Sequence, residues 1–568
     1  MIINRDKGRP VPFAAMATSV PVANSAGSRR TRSYRWPTLA ELWAFLGLAL
    51  PALAALLVPM PAVDLAYQLR AGASILGGAG IPAVDTWTYT VAGEPWLDQQ
   101  WGAQVLLGAA FQVGGWTGLA ILRAALVATT FGLVQATLRS MGCAARPAAL
   151  LALGSFAIAA PALAPRPQLF AIVLFAAATF VVADRRAHPR RLWLLPVFTA
   201  LWANLHGSFP LVLVIVGLGW LAELIRRRLE HEALRRLPKG VQPPPPAGAG
   251  SRLLGSTGIA LIGAVTAVAT LANPFGVEAW QYVVRLASNP AVSSQVSEWR
   301  PPSPIEPAGA VFYLSLLIAI AVIALRVRAD GGRVGLPILA PVAALLAFGT
   351  LGVLTGRGLA WWALVLPINA AAVAHDANLT RVLPRLLEPI GRLLTGPPGG
   401  PGRPSRADRT SPLNFAVGLV LVGAAVALLP VWRPLGAAGV PVGTLSYAPQ
   451  GIAAHLALRA PALGTGQELR VWSPQTWGSW LELSAPAALF ATDSRVELFS
   501  TDVWSETQQI ATGTGDWKAA LIRDRVYVIV VAADQQALRR ALGGWTLWHQ
   551  VYEDVDGSIW IRSDVILD

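Results

Sequence analysis

Two arginines stand at the ends of long apolar segments, where a cation is uncommon. Arg166 lies in APRPQLF and Arg357 lies in LTGRGLAWW. A guanidinium presents paired N–H donors that fit the oxygens of a phosphate or a carboxylate in two hydrogen bonds. Both residues are therefore candidates for binding a lipid phosphate, and ordinary anchoring at a membrane surface is the alternative for each.

A third arginine lies inside an apolar segment rather than at its end. Arg123, in GWTGLAILRAALVATTF, follows the start of its apolar run at position 116 by seven residues. A charge at that depth of a membrane is costly, so we expect it to face a polar cavity or a partner such as a lipid phosphate or Asp64. Snorkelling of the side chain to the membrane surface is the alternative.

Four carboxylates accompany these cations. Asp64 directly follows the first apolar run, where it could cap a helix, be functional, or both. Asp85 and Asp98 flank an aromatic, turn-rich segment and could be ordinary surface acids. Glu298, in SEWRPP, could simply pair with Arg300 or be solvated. We take Asp64, Asp85, Asp98 and Glu298 as candidate site residues beside these structural alternatives.

An amide and an imidazole end another apolar run. In LWANLHGSFP, Asn204 and His206 follow a segment that otherwise consists of apolar residues. Polar groups at a helix end are commonly structural, so this is one interpretation. The other is that both residues line a shared polar cavity with the carboxylates and arginines.

The composition indicates what kind of protein must position these groups. Of 568 residues, 54% are hydrophobic and 13% are charged, which is typical of an integral membrane protein. The single cysteine excludes an internal disulfide. The sequence contains no HExxH, phosphate-loop or GxSxG motif and no zinc-spaced Cys/His set.

Apolar runs of near-spanning length predict about eleven transmembrane segments. They lie at 38–59, 116–137, 147–163, 168–183, 192–204, 209–225, 253–272, 307–325, 334–354, 359–374 and 413–432. The apolar stretch 98–113 has a polar start and only moderate length, so we predict a helix at the membrane interface instead.

Loop arginines predict the orientation of these segments. With the amino terminus inside, the inner segments hold 29 basic residues, and the outer loops hold Arg70, Arg166, Arg285, Arg300 and Arg357. The predicted organisation is a disordered cytoplasmic tail (1–37), a transmembrane domain (38–434), an outer loop with interfacial helices (60–115), and cytoplasmic linkers at 226–252 and 375–412.

The last part of the chain, 435–568, has a different character. It carries nine basic and fourteen acidic residues, whereas the whole chain has a net charge of +14. The runs ELRVW, AALFATD, DRVYVIVVA and GSIWIRS resemble strands, and DQQALRRALGG resembles a helix. We predict a soluble extracytoplasmic α/β domain, with Asp493 and Arg495 forming an ion pair inside it.

With this orientation the uncommon polar residues fall on the outer side of the membrane. Several short phrases also resemble a broad group of bacterial membrane proteins within the GT-C glycosyltransferase superfamily. These are DLAYQLRAGASILGGAGIPAVDTWTYTVAGEPW, RPQLF, WANLHGSF, NPFG, EWRP and DSR, and the resemblance extends over roughly residues 37–565. It implies a GT-C-like α-helical polytopic membrane bundle with the carboxy-terminal domain outside.

The resemblance further implies transfer of a hexose or pentose from a polyprenyl-phosphate carrier at the outer face, with Asp64 as the catalytic base. GT-C enzymes often have two adjacent acids after the first span, but Leu65 follows Asp64 here. Any second acid must be Asp85 or Asp98, which could orient the acceptor or hold a divalent cation, Mg²⁺ or Mn²⁺.

The expected partners are membrane lipid, a polyprenyl-phosphate sugar and an acceptor glycan, lipid or protein, without nucleic acid. The expected location is the bacterial cytoplasmic membrane. The alternative is a non-enzymatic membrane protein, either a transporter of lipid-linked glycan or an assembly scaffold.

Overall fold

The computed structural model describes residues 35–235, 255–374, 409–463 and 468–564. Most of the predicted tail, together with most of both predicted linkers, lies outside the described residues. The helices up to residue 427 are α1 Leu39–Leu57, α2 Ala62–Ser74, α3 Trp101–Ser140, α4 Ala145–Ala159, α5 Pro167–Ala183, α6 Leu194–Ala203, α7 Leu211–Arg235, α8 Ser256–Ala269, α9 Glu278–Ser288, α10 Pro290–Gln295, α11 Pro307–Ala329, α12 Leu339–Leu354, α13 Gly358–Ala374 and α14 Pro412–Ala427.

Each of the eleven predicted apolar runs overlaps one of these helices within the described residues. Among the described residues, five helical segments are long and apolar enough to cross a membrane, namely Leu39–Leu57, Trp101–Ser140, Ala145–Ala162, Pro307–Ala329 and Leu336–Leu354. Shorter apolar helices include Pro167–Ala183, Thr257–Ala269, Gly358–Ala374 and Pro412–Ala427. The protein is therefore a multi-pass membrane protein, and the number of spans stays a prediction.

A glycine divides the long helix α3 into two arms. Gly115 has φ 54° and ψ −145°, a conformation that is readily available only to glycine. A Cβ added at Gly118 would lie 2.4 Å from the carbonyl oxygen of Ala110, so the two arms approach closely at the bend. The break separates the stretch predicted to be interfacial from the run predicted to span the membrane.

Helix α7 is longer than predicted and continues through the first ten residues of the predicted linker 226–252. Arg226 pairs with Glu230, and Arg228 pairs with Glu232, each four residues further along the helix. Such i,i+4 ion pairs stabilise a helix in water after the apolar sequence has ended.

The carboxy-terminal domain contains a five-stranded mixed sheet. Its helices are α15 Gln450–Leu463, α16 Gln475–Ser484, α17 Thr501–Thr512, α18 Trp517–Arg523 and α19 Gln536–Gly543, and its strands are β3 Leu469–Trp472, β4 Ala488–Phe490, β5 Val528–Ala532, β6 Trp548–Glu553 and β7 Gly557–Arg562. The strand order is β4-β3-β5-β7-β6, with β3 parallel to β4 and β5, and β7 antiparallel to β5 and β6.

Four of these strands coincide with the four predicted strand-like runs, and α19 coincides with the predicted helix. Strand β6 was not predicted. Its sequence, WHQVYE, is largely polar because the strand lies at the edge of the sheet, and its pairing with β7 is irregular between Gln550 and Tyr552.

The first loop after α1 is joined to the carboxy-terminal domain by backbone pairing. Strand β1 (Met60–Pro61) is parallel to β2 (Leu445–Ser446). Further along the loop, Tyr89 N–H donates to the Phe490 carbonyl at 3.0 Å, and Phe490 N–H donates to the Trp87 carbonyl at 3.1 Å. The loop thereby covers the β4 edge of the sheet.

A buried guanidinium completes this interface. Arg495 contacts Asp85 and Asp493 at 2.5 Å each, and its guanidinium lies 4.5 Å from the ring centroids of both Trp87 and Trp96. The ion pair predicted between Asp493 and Arg495 is present. The catalytic role predicted for Asp85 does not fit its position, because the side chain is fully buried and its other oxygen accepts two hydrogen bonds from Thr88.

Replacement of Arg495 by leucine is expected to lower the free energy of unfolding by about 3–5 kcal/mol, because it leaves two buried carboxylates without a cation. Unfolding of the full chain in detergent, followed by tryptophan fluorescence, measures this change. The control is Arg523→Leu, which removes an exposed ion pair with Glu506 and is expected to cost less than about 1 kcal/mol. Equal effects of the two substitutions would contradict a structural role for Arg495.

Candidate functional site

Arg166 connects two carboxylates that come from distant parts of the chain. Its Nη1 lies 3.1 Å from Oδ2 of Asp64, and its Nη2 lies 2.6 Å from Oε1 of Glu298. A second guanidinium, that of Arg357, lies with its Nε 3.5 Å from Oε2 of Glu298. Four of the residues predicted from the sequence thus form one ionic cluster.

The local sequence explains how Arg166 and Asp64 are positioned. Arg166 stands between Pro165 and Pro167, and a residue before proline favours the extended backbone seen here, with φ −140° and ψ 167°. Asp64 lies in the first turn of α2, whose N-cap is Pro61 and has no side-chain cap. The helix-cap alternative for Asp64 therefore does not apply, since its carboxylate pairs with Arg166.

Backbone hydrogen bonds fix Glu298 beside Arg357. The carbonyl oxygen of Glu298 accepts from Arg357 N–H and from Thr355 Oγ1, both at 2.9 Å. The Arg357 guanidinium also lies 4.6 Å from the ring centroid of Trp299. The predicted alternative of a Glu298–Arg300 pair is not observed, because Arg300 donates to backbone carbonyls of residues 293 and 294.

The cluster remains open to a ligand. The side chains of Asp64, Glu298 and Arg357 are each exposed by about a third (36%, 35% and 31%), whereas that of Arg166 is 14% exposed. Burial alone would raise the pKa of Glu298, but the guanidiniums of Arg166 and Arg357 outweigh burial and lower this pKa. Glu298 therefore stays ionised as the partner of both arginines.

His206 is a neutral imidazole with a defined tautomer. Burial and the positive charges of Arg357 and Arg166 lower its pKa to about 3. Its Nδ1 accepts from the backbone N–H of Ser208 at 3.1 Å and lies 2.8 Å from Ser208 Oγ, so the proton is on Nε2. Among the described residues Nε2 has no hydrogen-bond partner, which leaves an N–H donor for a ligand.

The five residues come from five separate segments at one end of the helical bundle. Asp64 follows α1, Arg166 precedes α5, His206 follows α6, Glu298 precedes α11 and Arg357 precedes α13. Helices that alternate in direction return to this end at each of these positions. In the sequence, these residues could therefore be grouped by the side of the membrane predicted for them and not by their spacing.

A second polar group lies next to the cluster. Glu497, from the carboxy-terminal domain, accepts a 3.0 Å hydrogen bond from the Tyr282 hydroxyl of α9. Burial, together with the negative charges of Asp64, Glu497 and Asp98, raises the pKa of Tyr67 in α2. Glu497 was not predicted from the sequence, although an acid between the apolar residues of RVELF could have marked it.

Asp98 belongs to this second group and not to the ionic cluster. It is 3% exposed, its Oδ1 accepts from Gln104 at 2.8 Å, and its Oδ2 is buried without a hydrogen-bond partner among the described residues. Burial raises its pKa to about 7. The predicted catalytic role beside Asp64 does not fit this position, because the Asp98 carboxylate bonds Gln104 and contacts neither Arg166 nor Arg357.

Asn204 has a structural position, contrary to the predicted ligand-binding role. Its Nδ2 donates to the carbonyls of Ala200 and Ala272 at 2.8 and 2.7 Å, and its Oδ1 accepts from Trp101 Nε1 at 3.1 Å. A Cβ at Gly102 would lie 2.8 Å from the Asn204 carbonyl oxygen. The residue thus joins the start of α3 to the end of α6.

Arg123 also has a structural position, contrary to the predicted role in binding a lipid phosphate. Its Nε donates to the Leu163 carbonyl at 2.9 Å and its Nη1 donates to the Val58 carbonyl at 2.7 Å, with only 5% of the residue exposed. These carbonyls lie just beyond the carboxy-terminal ends of α1 and α4, where backbone acceptors lack helical partners. The expected partner, Asp64, binds Arg166 instead.

The side chains of this region do not form the divalent-cation site that was predicted from the sequence. Within the described ranges, no group of three or more His, Cys, Asp or Glu side chains is arranged to hold a metal ion. Asp85 and Asp98, the acids considered for this role, lie in other clusters. Asp64 and Glu298 do converge, but Arg166 lies between them.

The fold is similar to that of an archaeal enzyme. The apo crystal structure of the Archaeoglobus fulgidus oligosaccharyltransferase aligns with a TM-score of 0.52 at 12% identity, covering 93% of this chain and 74% of that one. For Archaeoglobus fulgidus AglB in complex with an inhibitory peptide and a dolichol-phosphate, the TM-score is 0.50 at 10% identity, with the same coverage. A complex of the same oligosaccharyltransferase with zinc and sulfate gives 0.48 at 11% identity, covering 92% and 73%.

No protein-family model matches the chain, and no curated protein does. At the identities of the structural neighbours, the likeness is one of fold. The chain therefore has a GT-C-like fold, in agreement with the sequence resemblance.

The raised pKa of Asp98 predicts a pH dependence of stability. The native state retains the proton up to about pH 7, whereas the unfolded state releases it near pH 3.8. The contribution of this group is therefore fully present below pH 3.8 and is lost as the pH rises to 7, with a slope approaching about 1.4 kcal/mol per pH unit. The variant Asp98→Asn should lack this slope in denaturation series between pH 4 and 8, and the exposed control Asp516→Asn should keep it. An unchanged slope in Asp98→Asn would contradict the assignment.

Proposed function

We propose that the protein is a membrane glycosyltransferase that moves a hexose or pentose from a polyprenyl-phosphate donor to an acceptor hydroxyl at the outer face of the membrane. The observation that carries the proposal is the partly exposed Asp64 carboxylate beside the guanidiniums of Arg166 and Arg357, at one end of a GT-C-like bundle. A base and fixed positive charge are the two elements that this reaction requires.

Asp64 is proposed as the general base. Its Oδ2 is held by Arg166, which leaves Oδ1 for the acceptor hydroxyl. As the acceptor oxygen forms a bond to the anomeric carbon, the hydroxyl proton passes to Asp64. The bond between the anomeric carbon and the phosphate oxygen breaks, and its electron pair leaves with the lipid phosphate.

The leaving phosphate is proposed to bind on the Arg357 side of the cluster. Arg357 is the more exposed of the two guanidiniums, and His206 offers its neutral Nε2–H donor nearby. Donors fixed before the reaction stabilise the charge that develops on the phosphate without reorganisation in the transition state.

The remaining assignments form part of the same proposal. We propose eleven spans, a cytoplasmic amino terminus, an extracytoplasmic carboxy-terminal domain over residues 435–568, and a location in the bacterial cytoplasmic membrane. A structure of the fold neighbour AglB contains a dolichol-phosphate and an inhibitory peptide. By analogy with that complex, a lipid phosphate is the donor carrier here, and the acceptor is a glycan, a lipid or a protein.

Replacement of Asp64 by asparagine is expected to reduce transfer by about 10²–10⁴-fold, because the amide cannot accept the hydroxyl proton. The assay measures transfer of labelled sugar from polyprenyl-phosphate hexose or pentose by the purified full chain. The matched control is Glu94→Gln, an exposed carboxylate in the same loop, which should retain wild-type activity. Full activity of Asp64→Asn with an unchanged unfolding midpoint would refute the mechanism.

Removal of the Arg357 side chain is expected to lower kcat by about 10²–10³-fold, since one donor to the developing charge is lost. Arg357→Lys keeps the charge without the paired donors and should give an intermediate value. The control Arg285→Ala changes an exposed arginine of α9 and should leave kcat unaltered. An increase in KM with unchanged kcat in Arg357→Ala would limit this residue to substrate binding and contradict the proposed role.

A further inference from the structure

Two carboxylates converge on one position in the site. Asp64 and Glu298, which come from different loops, each direct an oxygen at the same guanidinium, with distances of 3.1 and 2.6 Å to Nη1 and Nη2 of Arg166. Paired carboxylates in a partly enclosed site provide the oxygen ligands that Mg²⁺ and Mn²⁺ prefer. The arrangement therefore resembles a metal site in which the Arg166 guanidinium occupies the position of the metal ion.

Arg166 is held firmly in that position. Its backbone lies between Pro165 and Pro167 at the N-cap of α5, and its side chain is 14% exposed. Burial lowers the pKa of Arg166, but the charges of Glu298 and Asp64 outweigh this effect and raise it above its ordinary value. The positive charge is consequently permanent, and the side chain has little freedom to leave.

A metal ion and the guanidinium would compete for the same oxygens. Mg²⁺ requires oxygen ligands at about 2.0–2.1 Å and a nearly complete octahedral shell. The lone pairs of Asp64 Oδ2 and Glu298 Oε1 face Arg166, and Oε2 of Glu298 faces Arg357 at 3.5 Å. A divalent ion placed here would also lie next to two guanidiniums, which repel it.

We infer that the Arg166 guanidinium takes the place of a divalent cation, so that the site binds no metal ion and transfer proceeds without one. The inference about transfer rests on the proposed function, whereas the inference about metal binding does not. Two carboxylates and two guanidiniums balance in charge, and Arg166 supplies by hydrogen bonding the fixed link between Asp64 and Glu298. Arg166 is thereby a positioning residue for the base Asp64.

The first test measures binding of Mn²⁺ to the purified full chain by the loss of the free-ion electron paramagnetic resonance signal. The wild type should show no saturable site tighter than about 1 mM. Arg166→Asp replaces the guanidinium with a third carboxylate, and this variant should bind one Mn²⁺ at least about tenfold more tightly than the wild type. Adding Glu298→Gln to that variant should abolish the new site.

A saturable Mn²⁺ site in the wild type that is weakened by Asp64→Asn or Glu298→Gln would overturn the inference. The wild-type measurement decides this point even if Arg166→Asp does not fold. The unfolding midpoint of Arg166→Asp gives a second readout, since Mn²⁺ should raise it in the variant and leave it unchanged in the wild type.

The second test measures transfer by the wild type in EDTA and in Mn²⁺, and the two rates should agree within about twofold if no metal stabilises the transition state. Loss of transfer in EDTA that is restored by Mn²⁺ would overturn the inference. Absence of transfer under both conditions would count against the proposed function only, because the Mn²⁺ measurements still decide whether Arg166 excludes a metal ion.

Discussion

The burial of one guanidinium between two carboxylates constrains the rest of the structure. Arg166 is mostly enclosed, and a buried charge is tolerated only when it is paired and hydrogen-bonded. Its partners, Asp64 and Glu298, come from loops that are far apart in the sequence, so the bundle must bring these loops to one end. The hydrogen bonds that Thr355 Oγ1 and Arg357 N–H donate to the Glu298 carbonyl extend this requirement to the helices that follow.

A second guanidinium performs a similar structural task between the membrane bundle and the carboxy-terminal domain. Arg495 ties Asp85 of the first loop to the sheet, and the loop backbone pairs with the edge of β4. This attachment brings Glu497 close to Tyr282 and Tyr67, beside the cluster around Asp64. The carboxy-terminal domain therefore places side chains next to the ionic cluster.

The sequence predicted the helices that carry the eleven apolar runs, four of the five strands of the sheet, and a larger set of polar residues that includes the ionic cluster. The apolar runs specify the helices, and the predicted side of the membrane grouped Asp64, Arg166, Glu298 and Arg357, although it placed Asp85, Asp98 and Asn204 in the same group. The contacts of Asp85, Arg123 and Asn204 could not be predicted, because their partners are a distant arginine and backbone carbonyls. No sequence pattern marks these partners. The chain segments that provide them approach one another only in the folded structure.

The proposed function requires that this cluster bind a lipid-linked phosphate. A density map of the full chain with a polyprenyl-phosphate bound tests it most directly. We expect the phosphate within hydrogen-bonding distance of Arg357 and His206, with the carbon chain leaving between the helices and Asp64 facing the phosphate-linked end. A phosphate bound instead at the opposite end of the bundle, for example beside Arg35 in the groove between α1 and α14, would contradict it.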